Sequence, residues 1–219
     1  MTLSKRLSEI YDLVDQDCAL ADIGSDHGQL VIELAKNQKC KKLFANDNKI
    51  GPFEILKKNS ADLNAIEVSL SDGIRDLPYY INTVVIAGMG GELIVSILKA
   101  HLEKLANVDT LILAPNTSSD IVRKEVTSLG YYIIDERLVE EKLFYEIIKF
   151  KKGQKKYNEL DYVFGPILRK NKNELFLKKI NLEKLKLENL LQKNLSTERQ
   201  KQIKYDLERI KRIWTLTLS

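Results

Sequence analysis

The chain has 219 residues, of which 44% are hydrophobic and 30% charged, and its formal net charge is +4 at pH 7. This length allows one large domain with a buried core plus an appendage. No run of 18 or more apolar residues occurs, which excludes a membrane-spanning helix, and the acidic segment from Met1 to Asp15 does not resemble a signal peptide.

Cysteine and histidine are scarce in the chain. Cys18 and Cys40 form no CxxC pair, and His27 and His101 are the two histidines. These numbers argue against a metal site. We therefore expect a protein of the reducing cytoplasm that binds neither a metal nor a membrane.

Short apolar runs alternate with helical patterns over the first 150 residues. Strands are predicted at 19–24, 42–47, 66–71, 83–88 and 110–115, and helices near 28–37, 52–63, 91–105 and 118–129. This alternation is typical of a mostly parallel sheet with helices on both faces. Two further extended runs, Tyr131–Val139 and Leu143–Lys151, have no helix between them and must pair antiparallel. We therefore expect an α/β fold, and five strand–helix units followed by an antiparallel pair resemble the class I, Rossmann-like methyltransferase sheet.

The composition changes after Lys151. A basic connector leads to a stretch from Tyr157 to Ile167 that we expect to be irregular, and helices are predicted over 172–195 and from Thr197 onward. The predicted apolar positions are Leu175, Leu182, Leu185, Leu187, Leu190 and Leu191 in the first helix, and Ile203, Leu207, Ile210 and Trp214 in the second. The second stripe has the spacing of a coiled-coil seam. We expect a domain over 1–156 and an antiparallel, coiled-coil-like helical hairpin over 157–219.

The charge is distributed unevenly between these two parts. Residues 1–150 carry 17 Lys and Arg against 23 Asp and Glu, a net charge of −6, whereas residues 151–219 carry 18 against 8, a net charge of +10. A basic segment of this kind favours a partner with a phosphate backbone. A solvated, lysine-rich helical surface would have the same composition.

The first predicted strand leads into a glycine turn that suits a nucleoside cofactor. The turn reads Asp22-Ile23-Gly24-Ser25-Asp26-His27-Gly28, and the next strand ends in Asp47. Glycine lets the backbone approach a ligand closely, and an acid at the next strand end can accept two hydrogen bonds from a ribose diol. The G-x-x-x-G spacing of Gly24 and Gly28 differs from the G-x-G-x-x-G that cradles a pyrophosphate. It therefore favours S-adenosyl-L-methionine over NAD, although an ordinary capped βαβ turn is also compatible.

The third and fourth strands end in residues that suit the same cofactor. Asp72 can accept a hydrogen bond from an adenine amino group, and Gly73 leaves room for the ring; a simple turn acid before glycine is the alternative. The run Gly88-Met89-Gly90-Gly91 forms a wall that a flat ring can approach, at the sheet edge where α/β proteins bind ligands. A tight turn would need fewer glycines.

Other polar residues leave the choice between function and structure open. Asn116, after the fifth strand, is equally compatible with contacting a base edge and with capping a helix. His27 fits a structural hydrogen bond better than a catalytic base. Tyr79 and Tyr80 fit packing better than base stacking. We expect Arg6, on the first amphipathic helix, to lie on the surface rather than to reach a phosphate.

These motifs together resemble a known family. The glycine turn from Asp22 to Gly28, the run from Ile86 to Gly91 and Ala114-Pro115-Asn116, followed by a helical hairpin, are similar to the bacterial tRNA (adenine-22)-N1-methyltransferases, TrmK. The resemblance implies an S-adenosyl-L-methionine-dependent enzyme that methylates an adenine in the D-arm region of tRNA, with the C-terminal part holding the RNA. Family members often have Gln-Pro-Asn at the third motif and Glu at the ribose position.

We therefore expect a monomeric tRNA (adenine-N1)-methyltransferase. The predicted cofactor-binding residues are Asp22, Gly24, Gly28, Asp47, Asp72, Gly73 and Gly88, and the predicted catalytic residues are Asp26, Asn116 and Met89. Asp26 is the candidate for stabilising the positive charge of the methylated ring. The alternatives are a methyltransferase of another RNA site or of a small molecule, a catalytically silent RNA-binding module and, least favoured, an NAD-dependent enzyme.

Overall fold

The computed structural model describes residues 3–215. Residues 1–2 and 216–219, which the two predicted domains include, lie outside the described residues. The chain divides into two compact units, a first that ends at Tyr157 and a second that begins at Asn158. No helix among the described residues is both long and apolar enough to cross a bilayer.

The first unit contains a seven-stranded sheet. Its strands are β1 Cys18–Ile23, β2 Cys40–Asp47, β3 Ile66–Leu70, β4 Thr83–Ala87, β5 Thr110–Ala114, β6 Tyr131–Glu140 and β7 Phe144–Lys152. Their spatial order is β3-β2-β1-β4-β5-β7-β6. Strands β1 to β5 pair in parallel, and β7 runs antiparallel to both β5 and β6. The predicted methyltransferase sheet with its terminal antiparallel pair is confirmed.

Burial explains why the central strands are apolar on both faces. All five residues of β5 are buried, as are four of the five in β4, because helices cover both faces of a parallel sheet. The order reverses at β1, since β2 and β3 lie on one side of it and β4 and β5 on the other. A reversal of this kind opens a crevice at the carboxyl ends of the strands.

The helices of the first unit follow the predicted order with one difference. They are α1 Lys5–Leu13, α2 Gln29–Lys36, α3 Ile50–Asn59, α4 Gly91–Ala100 and α5 Ser119–Ser128. The helix predicted over 91–105 ends at Ala100, because His101 leaves the helical conformation at φ −141°. A 3-10 helix, Leu102–Asn107, completes the connection to β5.

The second unit begins with a helix where the sequence predicted irregular chain. Its helices are α6 Glu159–Phe164, α7 Leu168–Asn171, α8 Glu174–Leu191 and α9 Thr197–Thr215. The irregular stretch is a wrong prediction over α6, because Asn158 and Asp161 form a reciprocal capping box that starts a helix. Gly165, at φ +80°, ends that helix.

The apolar stripes of the two long helices differ in part from the prediction. In α8 the buried residues are Phe176 and Ile180, whereas Leu182 and Leu185 are exposed. In α9, Ile203 and Ile210 are buried as expected, but Ile213 is buried in place of Trp214, which is 38% exposed. The helices α8 and α9 contact each other across the short connection 192–196. Coiled-coil packing between them stays a prediction.

Candidate functional site

A cleft of about 690 Å³ opens at the carboxyl ends of β1, β2, β3 and β4. Residues of α1 and α4 complete its walls. Eight of the ten predicted site residues line it, namely Asp22, Gly24, Asp26, Asp47, Asp72, Gly73, Gly88 and Met89. Gly28 and Asn116 do not line it. The strand-end motifs, distant in sequence, therefore meet in one place.

Asp22 is a buried acid at the end of β1. It is 6% exposed, and its Oδ2 accepts a 2.7 Å hydrogen bond from the hydroxyl of Ser25. Burial raises the pKa of Asp22 to about 6, because desolvation penalises the carboxylate more than the Ser25 hydrogen bond stabilises it. A cationic group placed in the cleft beside Asp22 would lower this pKa again, because it would stabilise the carboxylate.

The two glycines of the first turn have different surroundings. Gly24 has φ +71°, and a β-carbon there would collide with the terminal methyl of Met89. Gly28 has φ +75° at the N-cap of α2, and its β-carbon would collide with Leu56. Gly24 thus lets Met89 approach the floor of the cleft, whereas Gly28 lets α2 pack closely on α3.

Asn46 ties three strand ends together, a role that the sequence analysis missed. It is 1% exposed, and its Nδ2 donates to the hydroxyl of Ser71 and to the carbonyl of Gly73, both at 2.7 Å. Its Oδ1 accepts a 3.4 Å hydrogen bond from the amide of Gly24. An asparagine before the expected ribose acid was the available signal, since a buried amide can link neighbouring loops in this way.

Two acidic residues lie next to the hydrogen-bonded pair formed by Asn46 and Ser71. Asp47 is 9% exposed, and its Oδ1 accepts a 2.9 Å hydrogen bond from the amide of Lys49. Asp72 is exposed and accepts a 3.3 Å hydrogen bond from the Asn48 side chain. Both carboxylates retain acceptor capacity toward the cleft, because each ionised carboxylate has about four lone-pair sites.

Asp26 and His27 form an exposed pair on the rim of the cleft. The Asp26 Oδ2 lies 3.6 Å from the His27 Nε2, and their side chains are 65% and 46% exposed. Neither side chain is oriented by a hydrogen bond to a buried third residue, as a catalytic base normally is. The arrangement places a carboxylate beside the cleft without forming a catalytic dyad.

The amide of Asn116 is engaged with the loop after β4. Its Nδ2 donates a 2.7 Å hydrogen bond to the carbonyl of Gly88, and its backbone amide donates to the carbonyl of Met89 at 2.8 Å. Its Oδ1 accepts a 2.9 Å hydrogen bond from Nη1 of Arg6. Asn116 is exposed and does not line the cleft, but its hydrogen bonds hold the loop that contains Gly88 and Met89.

Arg6 lines the cleft, contrary to the expected surface position. Its guanidinium lies 4.7 Å from the centre of the Tyr145 ring, in cation–π contact. Tyr79, in contrast, is 84% exposed and lies outside the cleft. The amphipathic pattern of α1 did not indicate Arg6, because its surroundings come from the ends of β4, β5 and β7.

The described residues contain no candidate metal centre. Nowhere in residues 3–215 do three or more His, Cys, Asp or Glu side chains gather as metal ligands do. Cys18 and Cys40 are buried neighbours, with 3.1 Å between their sulfur atoms, at the opposite ends of β1 and β2 from the cleft.

Comparison with known proteins gives a consistent result. The TrmK family, described as tRNA (adenine(22)-N(1))-methyltransferase, matches residues 20–214. The tRNA (adenine(22)-N(1))-methyltransferase of Bacillus subtilis strain 168 is 34% identical over 190 residues, which are 82% of this chain and 80% of that protein.

Solved structures agree with the family match. Sp1610 of Streptococcus pneumoniae, in complex with S-adenosyl-L-methionine, has a TM-score of 0.90 and 36% identity over 97% of this chain and 99% of that one. M. capricolum TrmK in complex with S-adenosyl-homocysteine has a TM-score of 0.87 and 29% identity over 97% of both chains. The fold, the cleft and the extent of these matches lead to one conclusion: the chain belongs to the TrmK family of tRNA (adenine(22)-N(1))-methyltransferases.

Proposed function

We propose that this chain binds S-adenosyl-L-methionine in the cleft and transfers its methyl group to N1 of adenine 22 in tRNA. The observation that carries the proposal is the meeting of three acids, Asp22, Asp47 and Asp72, at the ends of neighbouring parallel strands in one cleft. Relatives of this family have been solved with S-adenosyl-L-methionine and with S-adenosyl-homocysteine.

The residues of the cleft fit this cofactor in its extended form. We assign Asp72 and Gly73 to the adenine, Asp47 to the ribose diol, and Asp22 with Gly24 to the ammonium end of the methionine. These residues follow the order of the strands β3, β2 and β1 across the sheet. Burial raises the pKa of Asp22 to about 6 in the absence of a ligand. The ammonium group of the cofactor would lower that pKa, so the two groups suit each other.

The chemistry asks little of the protein beyond positioning. Bound S-adenosyl-L-methionine supplies an electrophilic methyl group, and the lone pair of adenine N1 is the nucleophile, so no strong general base is needed. We assign Met89 and the backbone of Gly88 to the wall beside the adenine, with Asn116 holding that wall in place. Correct alignment of the reacting atoms can contribute roughly 7–11 kcal/mol.

Asp26 is our candidate for stabilising the charge that develops on the adenine ring. N1 methylation makes the ring cationic, and a carboxylate on the rim of the cleft lowers the energy of that charge. Because the Asp26 side chain is 65% exposed, water screens the effect. We expect Asp26→Asn to lower kcat several-fold and to leave the affinity for S-adenosyl-L-methionine unchanged in calorimetry.

We assign RNA binding in part to the second unit. The second unit, residues 158–219, carries 14 Lys and Arg against 8 Asp and Glu, a net charge of +6, and four further lysines precede it between residues 151 and 156. Basic side chains that neutralise phosphates gain affinity by releasing counterions. The target adenine must be unpaired or turned out of its helix, because base pairing occupies N1.

The decisive experiment is nucleoside analysis of tRNA after reaction. An unmodified tRNA transcript is incubated with the protein and methyl-labelled S-adenosyl-L-methionine, digested and analysed by mass spectrometry. We expect labelled N1-methyladenosine, which disappears when adenine 22 is replaced by guanine. Label at another nucleotide would support a different RNA site. RNA binding without label or cofactor binding would support a silent RNA-binding module.

A further inference from the structure

The two cysteines of the chain lie against each other at the amino ends of neighbouring strands. Cys18 is the first residue of β1 and Cys40 the first of β2. Their sulfur atoms are 3.1 Å apart, although the residues are 22 positions apart in sequence. The side chains are almost covered, since Cys18 is 6% and Cys40 7% exposed. The sequence has no other cysteine, so a disulfide within one chain can join only these two.

An irregularity in the pairing of β1 with β2 brings the two side chains together. Ala19 pairs with Lys42, and an unbroken register would place Lys41 opposite Cys18. The register shifts at this point, and the extra residue in β2 places Cys40 opposite Cys18 instead. Paired residues of adjacent strands lie about 4.8 Å apart, which is within the Cα separation of roughly 4.4–6.8 Å that a disulfide spans. An S–S bond requires the sulfur atoms to approach by about 1 Å more.

The hydrogen bond between the two thiols makes them chemically unequal. With Cys40 as the donor, this bond lowers the pKa of Cys18, because it outweighs the desolvation that burial causes there. The same bond raises the pKa of Cys40, and burial adds to the effect. The thiolate is the form of cysteine that acts as a nucleophile. Cys18 is therefore the sulfur that reacts first, and Cys40 lies within reach as the second.

We propose that Cys18 and Cys40 form a redox site, at which a hydroperoxide converts the two thiols into a reversible disulfide that ties β1 to β2 and stabilises the sheet. A small oxidant reaches the pair because strand ends open locally more readily than the middle of a sheet. In a reducing environment both residues remain thiols, and the disulfide forms transiently when peroxide is present.

The oxidation requires a peroxide and no group of the cleft. The Cys18 thiolate attacks one peroxide oxygen: an S–O bond forms, the O–O bond breaks, and the leaving alkoxide or hydroxide takes up the proton that the Cys18 thiol lost. The Cys40 sulfur then gives up its proton and attacks the Cys18 sulfur. The S–S bond forms, the S–O bond breaks, and hydroxide leaves with that proton as water. The two sulfur atoms lose two electrons, which the peroxide gains, and a dithiol reverses the reaction by thiol–disulfide exchange.

The cross-link would lie far from the cleft. Asp22 follows Cys18 by four residues along β1, a distance of about 13 Å, and Asp47 is farther still from Cys40 along β2. The disulfide closes a loop that contains α2, so it restricts the unfolded chain more than it changes the folded one. We therefore expect oxidation to stabilise the protein and to leave its affinity for S-adenosyl-L-methionine unchanged.

The test exposes the reduced protein to hydrogen peroxide and follows its mass, free thiols and Tm. We expect the wild type to lose both free thiols and about 2 Da, to yield a peptide that joins Cys18 to Cys40, and to melt about 5 °C or more higher. Dithiothreitol should reverse these changes. Cys40→Ser is the matched control, which should instead gain about 16 Da at Cys18 as a sulfenic acid that dimedone traps, with no rise in Tm. The double variant Cys18→Ser/Cys40→Ser measures the oxidation of methionine, which also adds oxygen.

The other outcomes each overturn the inference. Thiols that persist in excess peroxide would show that the pair is an inert, hydrogen-bonded part of the core. A disulfide between two chains would show that the two sulfur atoms do not react with each other within one fold. A cross-linked wild type with an unchanged Tm, or with a weaker affinity for S-adenosyl-L-methionine in calorimetry, would refute a stabilising tie that leaves the cleft intact. The mass, thiol and Tm measurements do not depend on the proposed function, because none of them uses the cofactor.

Discussion

The terminal methyl of Met89 occupies the space that a β-carbon at Gly24 would need. The two residues come from the loops after β1 and β4, the strands on either side of the reversal in the sheet. Their contact brings the turn after β1 against the glycine wall, where we place the methionine part of the cofactor and the adenine.

Gly24→Ala should therefore disturb binding more than folding. The added methyl displaces Met89, a flexible side chain that can move, but the φ of +71° strains alanine by about 1 kcal/mol. We expect affinity for S-adenosyl-L-methionine to fall at least tenfold in calorimetry. Gly51→Ala is the control, because nothing lies within 4 Å of its β-carbon. Equal affinities in the two variants would contradict the prediction.

Asp47→Ala and Asp72→Ala should each weaken cofactor binding while the fold survives. Losing a hydrogen bond to a charged group costs about 1.5–3 kcal/mol, which is roughly one to two decades in affinity. Calorimetric titration measures the loss, and circular dichroism checks the fold. Asp62→Ala removes an exposed acid outside the cleft and should bind normally. Unchanged affinity in both cleft variants would remove the basis for the proposed cofactor orientation.

Asp22→Asn should make the ligand-free protein more stable at high pH. The pKa of Asp22 rises from 3.8 to about 6 on folding, so the folded protein binds this proton more tightly than the unfolded chain. The resulting stabilisation is complete below pH 3.8 and is lost as the pH rises through about 6. Relative to wild type, the variant should gain up to about 3 kcal/mol between pH 4 and pH 8.

Urea unfolding of both proteins across this range measures the effect. Ser25→Ala is a useful companion, because the Ser25 hydrogen bond lowers the Asp22 pKa and its removal should move the transition to higher pH. A difference between wild type and Asp22→Asn that does not vary with pH would contradict the prediction.

Asn116→Ala should slow methyl transfer more than it weakens cofactor binding. The variant leaves the Gly88 carbonyl and the Arg6 Nη1 without their partner, so the glycine wall loses its support. We expect single-turnover rates on saturating tRNA to fall several-fold, because both lost hydrogen bonds are exposed and each contributes about 1 kcal/mol once water replaces the missing partner. Asn107→Ala, which removes a hydrogen bond to the Tyr79 carbonyl outside the cleft, is the control. A wild-type rate in Asn116→Ala would show that the wall is rigid without it.

Replacing Lys201 and Lys204 of α9 by glutamine should weaken tRNA binding and flatten its salt dependence. Both lysines are exposed in the basic second unit. The slope of log affinity against log salt should become shallower by about one for each phosphate that is no longer neutralised. Lys57 and Lys58 of α3 provide a control pair with the same charge change in the first unit. Equal effects of the two pairs would show a general charge effect rather than a binding surface.

Local sequence patterns determined most of the fold. Apolar runs and helical periods in the first 150 residues identified every strand of the sheet, because parallel strands buried on both faces leave a strong local signal. The short interval between β6 and β7 required their antiparallel pairing. The glycine turn and the acids after β1, β2 and β3 identified the cleft, because carboxyl ends of parallel strands meet at one edge.

Contacts between residues far apart in sequence were decided by the tertiary structure. Arg123 on α5 is fully buried and pairs with Glu136 of β6 and Glu146 of β7 at 2.6 and 2.5 Å. Sequence periodicity cannot predict that a charged side chain is buried together with its ion-pair partners. The pattern of polar residues is the same as on an exposed face.

The same limit explains Arg6 and Asn46. Each is an ordinary polar residue in a local pattern, and each acquires its role from partners at least 22 positions away in the chain. By itself, the sequence determined which strand ends form the cleft, because the apolar runs that predict each strand and the motifs that follow them are local features. Which polar side chains support it, and which face the ligand, depended on the tertiary packing that sets burial and hydrogen-bond partners.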